Sequence, residues 1–168
     1  MHLRPANVVD LPQILAIYNE AVLNTTASYD YTAQTLAARQ AWFAQKQAQN
    51  LPVLVMAEDG QILGFGSYGP FRAWEGYQYT VEHSLYVHPS YRRQGIGKAL
   101  LAVLIEAAIQ QQVHVMIAGI DAENQGSILL HEQLGFIAVG TLQQVGFKFG
   151  RWLDLCFMQK ILMPTQGE

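Results

Sequence analysis

The chain has a single cysteine, Cys156, so it can form no internal disulfide, and a reducing cytoplasm suits it. Charge is also sparse. Asp, Glu, Lys and Arg make up 14% of the 168 residues and leave a net charge of -3, which offers no basic face of the kind nucleic acid requires. No apolar stretch reaches the roughly 18 residues of a membrane span, and no export-type leader stands at the start, so neither export nor membrane insertion is expected. Repeats, low-complexity tracts and linkers are missing too, and no metal site is expected. What the chain has in quantity is apolar material, 51% of its residues. That argues for one domain over residues 1–168, with enough apolar surface left over for a homodimer. Cys156 lies in a strand-like run and reads as a buried thiol rather than a nucleophile.

Tyr79 to Leu104 carries the strongest pattern. Tyr79, Val81, His83, Leu85 and Val87 alternate with Thr80, Glu82, Ser84 and Tyr86, the period of a strand. His88-Pro89-Ser90 ends it, because proline offers no ladder donor and holds its predecessor extended. Arg92-Arg93-Gln94-Gly95-Ile96-Gly97 follows, and then Ile96, Leu100, Val103, Leu104 and Ala107 repeat at helical spacing. Glycines opening a helix let backbone N–H groups approach an anion, which the helix dipole also favours. With two arginines alongside, the segment reads as a pyrophosphate cradle; the competing reading is a plain glycine turn beside solvated arginines. A Walker loop does not fit, since Arg92 stands where its first glycine belongs and Ala99 where its Ser or Thr belongs. A dinucleotide fingerprint fails at Leu100, where it needs a small residue.

The flanking chain predicts alternating helices and strands. His2 to Ala6 forms a first strand. Asp10-Leu11-Pro12-Gln13 opens a helix as capping acid, early proline and N3 glutamine, with Leu11, Ile14, Leu15, Tyr18 and Val22 as its buried face. Asn24 to Tyr29 is a polar loop. A second helix spans Thr35 to Gln47, with Leu36, Trp42 and Phe43 as apolar contacts. Pro52 to Glu58 and Gln61 to Tyr68 are strands joined at Asp59-Gly60, a hairpin signal. An aromatic and charged loop, Gly69 to Gly76, leads into the central strand. Val113 to Gly119 is a strand and Asn124 to Leu134 a helix. Phe136 to Val145 and Trp152 to Met158 are the last strands, linked by Gly146 to Gly150. The sum is an α/β fold, a mixed sheet with helices on both faces.

The pattern Arg/Gln-x-x-Gly-x-Gly/Ala, met after a strand by Arg92, Gly95 and Gly97, resembles the acetyl-CoA loop of the GNAT superfamily of N-acetyltransferases. Asn124-x-x-Ser127-x-x-Leu130-His131-Glu132-x-Leu134-Gly135-Phe136 resembles that family's last helix and following strand. The strings TVEHSLYVHP, HEQLGF and VGFKFGRWLDLCFMQ look like the phosphinothricin and methionine sulfoximine acetyltransferase branch. The resemblance implies the GNAT fold, with its sheet splayed between two central parallel strands. It also implies acetyl-CoA as co-substrate. Arg93, Gln94, Gly95, Ile96, Gly97 and Lys98 would hold the pyrophosphate, and Leu85, Tyr86 and Val87 would pair with the pantetheine arm. Asn124 would hydrogen-bond that arm; its other role is a helix N-cap.

Amide formation from a thioester needs a neutral amine, a stabilised oxyanion and a departing thiolate. An α-amino group is mostly protonated at neutral pH, so a base must take its proton. Glu82, three residues before Leu85, is the candidate, against a surface strand carboxylate. His131 stands where many family members carry a tyrosine thought to protonate the thiolate; it is a proton donor or a structural helix histidine. His83 points opposite to Glu82 and reads as core or support. For the acceptor, Arg72, Trp74, Glu75, Gly76 and Tyr77 precede the central strand, and Arg72 suits a carboxylate. Lys148, on the tail hairpin, is a second cation, expected to reach a site such as one shared across a dimer interface, against a merely solvated lysine. The resulting expectation is an acetyltransferase of a small amino acid of the methionine sulfoximine, methionine sulfone or phosphinothricin type. The alternatives are a peptide N-terminus or polyamine as acceptor, or a silent acyl-CoA-binding regulator.

Overall fold

Asp59 and Gly60 both adopt positive φ, 48° and 80°, the backbone of a tight hairpin turn whose twist matches its strands. That turn joins β2 (Val53–Glu58) to β3 (Gln61–Pro70), and the rest of the sheet is laid on this pair. The computed structural model describes residues 1–162; residues 163–168 of the expected domain lie outside the described residues. The remaining elements are β1 (His2–Pro5), α1 (Leu11–Asn24), α2 (Leu36–Ala48), β4 (Thr80–Val87), α3 (Ile96–Gln110), β5 (Val115–Asp121), α4 (Gln125–Gln133), β6 (Ile137–Lys148) and β7 (Arg151–Ile161). Seven strands lie in the order β1-β2-β3-β4-β5-β7-β6. Every neighbour is antiparallel except β4 and β5.

The β4–β5 pair positions the site. Its register holds at Thr80↔Val115, Val81↔Met116 and Glu82↔Ile117 and then stops, although β4 runs on to Val87 and β5 to Asp121. The strands splay from His83 onward, as the family resemblance implies. Helices cover both faces. α1 and α2 pack on one through Leu11, Ile14, Ile17 and Phe43 against Val55, Ile62 and Phe65. α3 packs on the other through Leu100, Leu101 and Leu104, with the α4 side chains Ile128 and Leu130 beside it. Each such side chain is worth about 1.5–3 kcal/mol of burial.

Several local expectations need correcting. Asp10 does not cap α1. Asn7 caps a short 3-10 turn before it, and the Asp10 carboxylate accepts the Asn7 N–H and both guanidinium arms of Arg4 at 2.7 and 2.8 Å. Those hydrogen bonds from Arg4 hold the Asp10 carboxyl below the usual carboxylate range. Gln13 leaves the helix end as well, donating to the Gly60 carbonyl and accepting from Ile62 N–H, which docks α1 on the hairpin. Ile17 and Ala21 join the buried face of α1, while Leu15 is only half-buried. In α2 the buried residues are Phe43 and Arg39, and Leu36 faces solvent. The Arg39 guanidinium lies 4.1 Å from the Tyr18 ring centre and 4.6 Å from that of Trp42, so stacking on aromatics takes the place of a hydration shell. α3 buries Leu101, Ile105 and Ala108 too, and Val103 and Ala107 only partly.

β5 starts and ends two residues later than expected. The last hairpin is longer than expected, with strands that continue to a two-residue turn at Phe149-Gly150. Gly146 is not a breaker. The Tyr29 ring lies so close that a β-carbon there would fall 2.5 Å from a ring carbon. A register shift between Leu142 and Gly146 absorbs the irregularity. Cys156 is buried in β7, as expected.

Candidate active site

Two adjoining cavities open at the splay, of about 510 and 640 Å³. They share Ala27, Leu85, Tyr86, Asp121, Asn124 and Ser127, so both open onto the gap between β4 and β5. The larger one is a groove along the start of α3. Gly95, at φ 81°, sits just before the helix, and no side chain caps it, so the first-turn N–H groups have no side-chain acceptor. Arg93 is left-handed too, at φ 63°. Such alternation curls successive N–H groups toward one point, where the helix dipole adds to their pull on an anion. A β-carbon on Gly97 would fall 3.1 Å from Leu130, so helix α4 closes on the loop there.

Arg93, Gly95, Ile96, Gly97, Lys98, Leu85, Tyr86, Val87 and Asn124 all line this groove. Gln94 is not part of the lining; its amide reaches back to the Ser90 carbonyl at 3.4 Å. Arg92, the first residue of the motif, lines the groove while its guanidinium is held by Glu20 at 2.6 Å. Asn124 does cap α4, accepting from Ser127 N–H at 3.1 Å, and it also lines the groove. Beyond Glu82 the β5-facing edge of β4 has no strand partner, which leaves room for an extended ligand to add itself there.

Glu82 lines the smaller cavity. Burial pushes its carboxyl up, and among the described residues it has no hydrogen-bond or ion-pair partner. Its Oε1 lies 3.0 Å from where a β-carbon on Gly119 would be, so a side chain at that position of β5 would press on the carboxylate. A carboxylate so placed combines raised basicity with an uncommitted lone pair, the two properties a general base requires.

His83 faces away from Glu82, as alternation predicts, and meets His131. Their rings stack with centres 5.0 Å apart, and the two Nε2 atoms are 2.9 Å apart. His131 Nδ1 lies 2.7 Å from the Ser127 carbonyl, which only accepts, so the proton is on Nδ1. His131 Nε2 therefore accepts from His83 Nε2–H, and His83 Nδ1 is left as a buried lone pair with no partner among the described residues. Burial, with the neighbouring imidazole adding to it, pushes His83 down to about 3. Burial lowers His131 too, against the pull of the Ser127 carbonyl. Both rings are neutral at neutral pH, and in these tautomers neither offers an N–H to the cavity. The donor role expected of His131 requires the His83 contact to open and Nε2 to gain a proton.

The acceptor-side expectations fare differently. Arg72, Trp74, Glu75, Gly76 and Tyr77 are all exposed and line neither cavity; Arg72 lies over the rings of Phe71 and Tyr77. Lys148 is buried and donates to the carbonyls of Val22, Thr25 and Ser28 at 2.6, 2.9 and 2.5 Å. All three ammonium protons are used, so Lys148 fastens the end of α1 instead of reaching a ligand. Two residues not foreseen do line the smaller cavity. Tyr29 places a buried, unpartnered hydroxyl beside it, and Lys46 enters from α2. The sequence pointed to neither: Tyr29 stood in an apparently plain polar loop, and the path of Lys46 depends on how α2 docks.

Residues 13–136 match the model of the acetyltransferase (GNAT) family. The chain belongs to the GNAT acetyltransferase family. This acetyltransferase is 53% identical over 166 residues to the L-methionine sulfoximine/L-methionine sulfone acetyltransferase of Pseudomonas paraeruginosa, covering 98% of this chain and 96% of that one. Among solved structures, a Salmonella typhimurium acetyltransferase with its cofactor acetyl-CoA superposes with a TM-score of 0.96 at 44% identity, covering 99% and 96% of the two chains. The ribosomal-protein-alanine N-acetyltransferase of Brucella melitensis superposes with a TM-score of 0.94 at 52% identity, covering 96% and 99%. The acetyl donor of this acetyltransferase is acetyl-CoA, and the groove along α3 has the backbone donors and cations that its pyrophosphate needs.

Proposed function

We propose that this acetyltransferase, as one domain over residues 1–168, transfers the acetyl group of acetyl-CoA to the α-amino group of a small amino acid of the methionine sulfone or sulfoximine type. The cavity beside Glu82 carries the proposal. At about 510 Å³ it is sized for a small molecule, and the uncommitted carboxylate lining it supports a base for the proton that the amine must lose. Glu82 takes that proton through a water, the amine nitrogen bonds to the acetyl carbon, and the carbon–sulfur bond breaks. The second amine proton ends on the departing thiolate. His131 lines the same cavity and can pass that proton on only through an Nε2 first released from His83, because the resting ring carries no proton there. The likeness to a ribosomal-protein-alanine N-acetyltransferase favours a second reading, a peptide N-terminus as acceptor.

A panel of acceptors separates the two, with release of free CoA thiol as the signal. Methionine sulfone, methionine sulfoximine or phosphinothricin should exceed an alanine-terminated peptide and a polyamine in kcat/KM by at least about tenfold, roughly 1.4 kcal/mol of transition-state binding. A peptide turned over faster than every free amino acid hands the function to the second reading.

The proposal includes a homodimer in a reducing, cytoplasmic setting. No helix among the described residues is long and apolar enough to cross a membrane. β6 is an edge strand exposing Ile137, Val139, Leu142, Val145 and Phe147, with Trp152 beside them on β7. An exposed apolar edge of this length is a surface proteins normally cover. Sedimentation should give the mass of two chains; a single-chain mass at tens of micromolar protein removes the dimer.

A further inference from the structure

Lys46 is the one cation lining the acceptor cavity among the described residues, and nothing assigned to the site so far uses it. Its Nζ donates to the Tyr68 carbonyl at 2.7 Å and lies 5.9 Å from the Trp42 ring centre. It forms no ion pair with any described carboxylate, so two of its three ammonium protons are uncommitted. Burial pulls it below the ordinary lysine range.

Its position relative to Glu82 is fixed by the sheet. Gly69 on β3 lies directly opposite Glu82 on β4, and a β-carbon on Gly69 would fall 3.0 Å from Lys46 Nζ. Side chains at directly opposed positions start about 5 Å apart on the same face. The ammonium therefore sits above the strand position next to Glu82, yet the two charges do not pair. An amine-only acceptor needs Glu82 but gains nothing from Lys46. An α-amino acid carries its amine and its carboxylate on one carbon, and so presents complementary groups to both.

We propose that Lys46 binds the α-carboxylate of the acceptor while Glu82 faces its amine, which makes Lys46 the residue that selects free amino acids. This rests on the amino-acid reading above and moves the carboxylate anchor from Arg72 to Lys46. A charge-assisted hydrogen bond made equally before and during the reaction acts on KM rather than kcat.

The test compares an amino acid with its methyl ester in the wild type, Lys46→Met and Lys46→Gln, with acetyl-CoA binding and melting followed in each. Methionine removes the charge and keeps the stem; glutamine also keeps a donor for the Tyr68 carbonyl, so it serves if Lys46→Met does not fold. We expect kcat/KM for the free acid to fall about 10–100-fold, mainly through KM, with the ester changed less than about threefold. A merely structural lysine would move acid and ester together. Variants that bind acetyl-CoA normally and keep the wild-type acid-to-ester ratio overturn the assignment while the amino-acid reading stands. A wild type that acetylates peptides and no free amino acid overturns both.

Discussion

Glu82→Gln should lower kcat by about 10²–10⁴-fold, the span general base catalysis usually supplies, with acetyl-CoA affinity unchanged. The amide keeps the size of the carboxylate and still fits over Gly119, but it accepts no proton. Because the carboxylate has no protein partner to lose, the variant should fold at least as well as the wild type; a neutral amide is also easier to bury than a charge. The pH profile isolates the cause. Burial raises the Glu82 carboxyl, so its basic, ionised form accumulates as pH rises through a value above the ordinary carboxylate range. Wild-type kcat/KM should climb along that limb, and the glutamine variant should lose the limb altogether. Full kcat at neutral pH in Glu82→Gln would falsify the base assignment and leave the proton to ordered water alone.

The second large effect belongs to the loop before α3. Gly95→Val should reduce acetyl-CoA affinity at least about 100-fold, roughly 2.7 kcal/mol, while circular dichroism shows the same fold. The position has φ 81°, and a β-branched residue there costs roughly 1–2 kcal/mol. Space is not the obstacle, since a β-carbon would meet no protein atom within 4 Å. The backbone is. A valine pushes the loop toward negative φ and turns the N–H groups away from the point on which they converge. Melting should fall by only a few degrees, because Gly95 itself contributes no side chain to the core. Calorimetry returning wild-type affinity in a folded variant would remove this loop from the cofactor site.

What could be read in advance was what local sequence decides. The loop from Arg93 to Lys98 was legible because strand, glycines and helix start follow one another in the chain, and the opposite faces of Glu82 and His83 follow from strand alternation alone. Lys46 was not legible. Its spacing from Trp42 looks like any helix surface pair, and only the docking of α2 carries the ammonium to Tyr68. Lys148 failed for the converse reason: a lysine near a hairpin tip reads as a cation free to reach a site, and the three carbonyls that bury it come from the far end of the chain. Gly146 was misread because the Tyr29 ring that requires it lies in another segment. The resemblance to the branch anticipated that Glu82 and His131 would stand at one site. The hydrogen bond tying His131 to His83 depends on the spacing of α4 from β4, which no single stretch encodes.

Lys148 also bears on the order in which the molecule can assemble. The carbonyls it holds precede it by 126, 123 and 120 residues, and Tyr31 reaches the Phe147 carbonyl across 116. Contacts of such sequence separation form late, after the loop-closure entropy of everything between them has been overcome. On a ribosome the α1–α2 connection would emerge early, tied at first only to α1 through Tyr18–Asp30 and Asn19–Gln34, and the Lys148 clasp would come only with the last hairpin. The groove along α3 draws on residues up to Arg151, but its phosphate end is local and can form with the helix itself. The wall of the acceptor cavity, built from Ala27, Ser28 and Tyr29, would be among the last parts of a newly made chain to be set in place.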